Sequence, residues 1–134
     1  MFACCLPHTA TPLAKAFPRQ CKARVVSVYD GDTITIIMRF RWKSFQFKCR
    51  LMGIDTPELR TRNEKEKQMG YQAKEYLATL IDKKIITVQC DGLDKYGRLL
   101  VVPYVQGDNV CELMIQKGWA KRYDGGTKTP WIFN

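Results

Sequence analysis

Hydrophobic and polar positions alternate with a period of two through much of the chain. The contrast is sharpest from Phe45, where Phe45, Phe47, Cys49 and Leu51 fall on one side and Gln46, Lys48 and Arg50 on the other. Successive side chains of an extended backbone point to opposite faces, so this spacing predicts a strand half buried against a core. Ala23 to Tyr29 reads as an earlier strand, with Val26 and Val28 on one face and Val25 and Ser27 on the other. Asp30-Gly31 is a turn signal, and the β-branched run from Thr33 to Arg39 reads as the next strand. Arg41 to Ser44 makes a polar connection, and Thr56-Pro57 ends the third strand, because the residue before proline is pushed out of helical geometry.

The period then changes. Residues 59 to 67 are charged and read as a mobile loop, and a helix is expected from Met69 to Ile81, where Ala73, Tyr76, Leu77 and Leu80 make one buried stripe. Lys84 to Cys90 and Arg98 to Val105 return to strand patterning, with Pro103 marking an edge or a bulge. Asn109, followed three residues later by Glu112, predicts a helix start; Val110, Leu113 and Met114 form its apolar stripe and Gly118 its C-terminal cap. The order β-β-β-α-β-β-α gives a mainly β, α+β class. Five short strands with a helix after the third suit a small Greek-key barrel of the OB type. Residues 1 to 20, rich in Pro, Ala and Thr without periodicity, read as a flexible tail, and 21 to 134 as one folded domain.

Composition adds a partner class. With 46% hydrophobic and 26% charged residues in a chain of 134, the sequence is globular and not disordered. Its 22 Lys+Arg against 13 Asp+Glu give a net charge of +9, which suits a polyanion, chiefly nucleic acid, or an anionic membrane surface. A merely solvated basic surface would look the same by charge alone.

The six cysteines include no C-x-x-C pair, and His8 is the chain's one histidine, which argues against a structural zinc. Cys49, Cys90 and Cys111 lie among apolar neighbours and read as buried free thiols, pointing to a reducing, intracellular compartment. No run reaches transmembrane length and no secretory signal is evident. The first 29 residues lack Asp and Glu but hold Lys15, Arg19, Lys22 and Arg24. Three readings stay open: an organellar transit segment, a membrane tether through S-acylated Cys4 and Cys5, or a plain tail with two idle thiols.

Three short stretches carry candidate chemistry: Asp30-Gly31-Asp32-Thr33, Arg50 through Glu58, and Asp94-Lys95-Tyr96-Gly97-Arg98. Each alone has an ordinary reading as a turn or an exposed strand end. Together they place carboxylates and arginines near strand ends. Asp32 and Asp55 could share a divalent cation, with a carbonyl from Thr56-Pro57 and waters completing its shell. Such an ion polarises a phosphoryl oxygen and binds a nucleophilic water, which Glu58 could orient or deprotonate. Arg50 and Arg98 could clamp the phosphate with planar forks.

On these three motifs, and on Gln116-Lys117-Gly118-Trp119-Ala120, the chain resembles the staphylococcal nuclease (thermonuclease) family from about Ala23 to Ala120. The resemblance implies an OB-fold nuclease that uses calcium (Ca2+) to cut DNA and RNA on the 5′ side of the phosphodiester, leaving 3′-phosphate ends. It implies Asp32, Asp55 and the main-chain oxygen of Thr56 as metal ligands, Glu58 as general base, and Arg50 and Arg98 as phosphate ligands. Relatives such as the repeated domains of Tudor-SN proteins look like scaffolds with these side chains replaced, and they supply the alternative of a non-catalytic nucleic-acid-binding module. Bacterial members continue into a further C-terminal helix; here Gly125, Gly126 and Pro130 make a helix after Tyr123 unfavourable. The aromatic residues expected to stack on a base are out of register, leaving Tyr96 and Tyr123 as candidates. The expected partners are DNA and RNA, single strands favoured, with the protein a monomer.

Overall fold

The computed structural model describes residues 19–40 and 42–132. In chain order its elements are β1 (Gln20–Asp30), β2 (Thr33–Phe40), β3 (Lys43–Leu51), β4 (Ile54–Asp55), α1 (Glu64–Ile81), β5 (Ile85–Leu93), β6 (Leu99–Val105), β7 (Asp108–Asn109), α2 (Val110–Gln116) and β8 (Lys121–Arg122). Antiparallel pairing orders the main sheet β3-β2-β1-β5-β6-β7. A parallel pairing of Cys49, Arg50 and Leu51 with Leu99, Leu100 and Val101 joins its two sides. The result is the expected five-stranded OB-type barrel in an α+β chain, with β4 pairing separately with β8. The tail assigned to residues 1 to 20, with Cys4 and Cys5, lies outside the described residues except for Arg19 and Gln20, and Gln20 already belongs to β1.

Strand faces follow the alternation where the register is regular. In β1 it is not: Val25 and Val28 are both buried while Val26 is half-buried, against the faces expected from strict alternation. A register shift between Val25 and Ser27 inserts one extra residue, which flips the faces beyond it and bends the strand around the core. The Arg41 to Ser44 connection is also shorter than expected, since Lys43 and Ser44 pair with Phe40 and Arg39. Pro103 is paired with Val88 on one side, and on the other falls between the β3 pairings, which end at Val101, and the β7 pairings, which begin at Tyr104. A residue without an N–H is tolerated in such a gap.

Helix α1 starts at Glu64, not Met69, so much of the expected loop is helical. Asn63 caps it, its side-chain oxygen accepting from Lys65 N at 3.0 Å and Glu66 N at 3.2 Å, and Glu64 and Glu66 put negative charge at the positive end of the helix dipole. Its buried stripe is Gly70, Ala73, Leu77 and Ile81, with Tyr76 and Leu80 half-buried at the flanks. In α2 the Asn109 cap forms as expected, accepting from Glu112 N at 3.2 Å, and Gly118 takes φ +81 just past the helix end. Cys111 takes the buried place expected of Leu113. Cys49, Cys90 and Cys111 are buried free thiols. No described helix is long and apolar enough to cross a membrane.

Gly70 fixes how closely α1 approaches the chain after β4. A Cβ there would meet Leu59 Cδ2 at 2.9 Å and the carbonyl oxygens of Pro57 and Glu58 at 3.0 Å. Gly70→Ala should therefore destabilise the protein by about 1–3 kcal/mol in urea unfolding, despite a helix-propensity gain of about 1 kcal/mol.

Candidate active site

The site is built at the join between β3 and its two neighbours. Thr33 pairs with Arg50 across β2 and β3, Arg50 pairs with Leu100 across the parallel join, and Leu51 N donates to Asp32 O at 2.8 Å. Arg50 is expected on an exposed face but is buried, because strands flank it on both sides. Its Nη1 lies 3.0 Å from Asp32 Oδ2. The same guanidinium donates to Leu51 O at 3.0 Å and Ile54 O at 3.1 Å, so its fork is held by one carboxylate and two carbonyls.

Asp32 is almost wholly buried at 7% exposure. Burial pushes its carboxyl up to about 6, against the pull of Arg50, and neighbouring Asp30 raises it further; the Thr56 side chain beside it favours the ionised form. Thr33 Oγ1 donates to Asp32 Oδ1 at 3.2 Å, and Asp32 N donates to Asp30 Oδ1 at 3.1 Å. Gly31 lets this turn press against the loop after β4, since a Cβ there would lie 3.0 Å from Thr56 Cβ, Thr56 Cγ2 and Ala73 Cβ.

Asp55 and Thr56 are buried at 4% and 2% exposure. Asp55 Oδ1 has no hydrogen-bond donor in suitable geometry among the described residues; its charge is met by Lys128 Nζ at 3.2 Å. Lys128 also lies 3.7 Å from Glu58 Oε1. Burial alone lowers the Lys128 ammonium, but the charges of Asp55 and Glu58 leave it above its usual value. Glu58 is exposed, and its backbone N–H donates to Glu66 Oε2 at 3.0 Å.

Arg98 arrives on the β5–β6 turn. Asp94 organises that turn, accepting from Tyr96 N at 2.8 Å, Arg98 N at 2.9 Å and Arg98 Nε at 2.7 Å. Burial raises Asp94, but these hydrogen bonds outweigh it and hold the carboxyl below its usual value. Gly97 takes φ +80, as its place in the turn requires. Arg98 Nη1 reaches Thr33 Oγ1 at 3.5 Å, and its guanidinium lies 5.5 Å from the Tyr96 ring centre. A cavity of about 670 Å³ is lined by Arg50, Tyr96, Arg98, Tyr123 and Lys128.

Thus Arg50, Arg98, Tyr96 and Tyr123 share one cavity, Asp32 joins them through Arg50 and Thr33, and Asp55 and Glu58 share Lys128. Three supporting residues escape sequence reasoning: Lys128, Glu66 and, in its turn-holding role, Asp94. Asn63 with Glu66 repeats the spacing of Asn109 with Glu112, a signal that locates the helix start. Lys128 carries no local pattern.

The donor set bears on calcium. Among the described residues no three acidic, histidine or cysteine side chains form a ready cluster for a metal ion. Two buried carboxylates, Asp32 paired with Arg50 and Asp55 paired with Lys128 but with an oxygen lacking a hydrogen bond, are nonetheless hard oxygen donors. They fit an ion that completes its shell with carbonyls and waters.

A family model described as Staphylococcal nuclease homologue matches residues 48–130, which include Arg50, Asp55, Glu58, Arg98 and Lys128 but not Asp32. An "Uncharacterized endonuclease" of Haemophilus influenzae is 34% identical over 100 residues, 75% of this chain and 51% of that protein. The "Micrococcal nuclease" of Shigella flexneri is 31% identical over 115 residues, 78% of this chain and 60% of that protein. "Endonuclease YncB" of Bacillus subtilis is 29% identical over 114 residues, 83% of this chain and 52% of that protein. The chain spans about half the length of the curated relatives it matches.

Removing one member of a buried ion pair strands the other. Arg50→Met should cost about 3 kcal/mol in urea unfolding, and adding Asp32→Asn should cost far less than the two single changes predict, a coupling read from a double-mutant cycle.

Proposed function

The chain belongs to the staphylococcal nuclease homologues, and from that premise we propose that it is a calcium-dependent nuclease hydrolysing DNA and RNA to 3′-phosphate ends. The observation that carries the reading is the convergence of Arg50 and Arg98 on one cavity, with Asp32 bonded to Arg50. The net charge of +9 favours a polyanionic substrate.

In this reading a phosphodiester lies between the two guanidiniums. Arg50 is fixed by the carbonyls of Leu51 and Ile54, and Arg98 by Asp94, so neither must reorganise as charge builds on the phosphoryl oxygens. Glu58, tethered at its N–H by Glu66, accepts a proton from the attacking water. The water oxygen bonds to phosphorus, the bond from phosphorus to the 5′ oxygen breaks, and the leaving oxygen takes a proton from solvent. Calcium, when held by Asp32, Asp55 and the Thr56 carbonyl, supplies positive charge to the phosphoryl oxygens and lowers the pKa of water. Tyr96 and Tyr123, on the cavity wall, offer ring faces to bases of any identity, which suits single strands and little sequence preference.

Digestion of single-stranded DNA with added calcium or with chelator tests the reading, and chelator should abolish cleavage. Glu58→Ala and Arg98→Ala should each lower kcat about a hundredfold or more while changing binding little. Salt-sensitive binding of DNA with no product under any metal condition would assign the chain instead to the non-catalytic binding modules.

A further inference from the structure

A second concavity, of about 890 Å³, lies on the outer face of β1, β5 and β6, and its rim carries four cations and no carboxylate. Lys22 and Arg24 project from the exposed side of β1, and Lys83 and Lys84 from the turn into β5. Lys83 turns its ammonium back onto Val26 O, while Lys22, Arg24 and Lys84 are exposed and form no ion pair with a described residue. The lining is mixed, with Thr87, Gln89 and Tyr104 polar and Ile85, Ile86 and Val105 apolar, Ile85 largely exposed.

Strands β5 and β6 both run from this groove to the candidate active site. Along β5 the outward positions run Ile85, Thr87, Gln89 and Asp91; the first three line the groove and Asp91 lines the catalytic cavity. Along β6 the outward positions run Leu100, Val102 and Tyr104, with Leu100 in the cavity and Tyr104 in the groove. Four residues of strand, about 13 Å, separate those two walls.

We infer that the outer face of β1, β5 and β6 is a track for the nucleic-acid strand beyond the scissile phosphate, with Lys22, Arg24 and Lys84 as its phosphate contacts. The inference rests on the nuclease reading for the end of the track that lies in the cavity. The groove's shape favours a strand over a membrane surface: it is concave and sets amides, a phenol and cations around Ile85, whereas an interfacial anchor presents a convex, mainly apolar face. Separation favours a binding over a catalytic role. Lys22 pairs with Thr87, four strand residues or about 13 Å from Asp91 in the cavity, so at moderate salt the groove cations act chiefly on a polymer that reaches both.

The test compares two substrates. One is single-stranded DNA of about twenty nucleotides; the other is a nitrophenyl phosphodiester of thymidine, too short to leave the cavity. With Lys22→Glu, Arg24→Glu and Lys84→Glu combined, KM for the long strand should rise about tenfold or more at about 0.1 M salt while kinetics on the small diester stay within about twofold. In fluorescence anisotropy on the same labelled strand, the slope of log affinity against log salt should flatten by about 2, and each single change should flatten it by about 0.7, which keeps the test open if the triple variant folds poorly. Unchanged strand affinity and salt slope would overturn the track, as would an equal loss on both substrates. A loss confined to binding of phosphatidylserine-containing vesicles would overturn it in favour of a membrane surface. A wild-type chain that binds the strand with the expected slope but cleaves neither substrate would remove the nuclease reading and leave the track standing.

Discussion

The Arg50 guanidinium ties together pieces of backbone that are distant in the chain. It meets the Asp32 carboxylate from the β1–β2 turn, the Leu51 carbonyl at the end of its own strand and the Ile54 carbonyl at β4. Burying two charges costs several kcal/mol per ion, and a single ion pair does not by itself repay that cost. Hydrogen bonds from the fork to two carbonyls offset part of it. What remains is a positive group with one orientation in a region of low dielectric, where its field is far stronger than in water. Asp32 shows the other half of the balance: even with Arg50 at 3.0 Å, desolvation leaves its carboxyl raised to about 6.

The remaining site groups are each positioned by residues that are not themselves reactive. Asn63 sets where α1 begins, which puts Glu66 within reach of the Glu58 N–H, and Gly70 allows the helix to lie against the Pro57 and Glu58 carbonyls. Asp94 holds the turn that carries Arg98. Such support fixes these groups in place, the arrangement that electrostatic stabilisation without reorganisation requires.

Much of this is legible in the sequence, and the failures have physical causes. Alternation at Phe45 to Leu51 and the Asn109 cap locate their elements because each reports a local rule. The faces of Val25 and Val26 are misread because a bulge shifts the period without changing composition. The start of α1 is missed because its first turn is charged and solvent-facing, so no apolar stripe announces it. Arg50 looks exposed in a two-residue alternation, and only the closing of the barrel covers it. Lys128 reaches Asp55 across an interval in which no periodicity connects the two. Local signals find the elements; contacts between remote segments decide what the elements hold.

The parallel join of β3 with β6 has a kinetic consequence. It links positions about fifty residues apart, through three residue pairs, whereas β1 with β2 and β2 with β3 form from chain neighbours. Ordering that long interval carries an entropy that the hairpins avoid, so the join belongs among the later events of folding. Arg50 and Leu100 meet at this seam, and a chain with both hairpins formed but the seam open has the motifs without the cavity. Regain of secondary structure during refolding therefore precedes regain of the site.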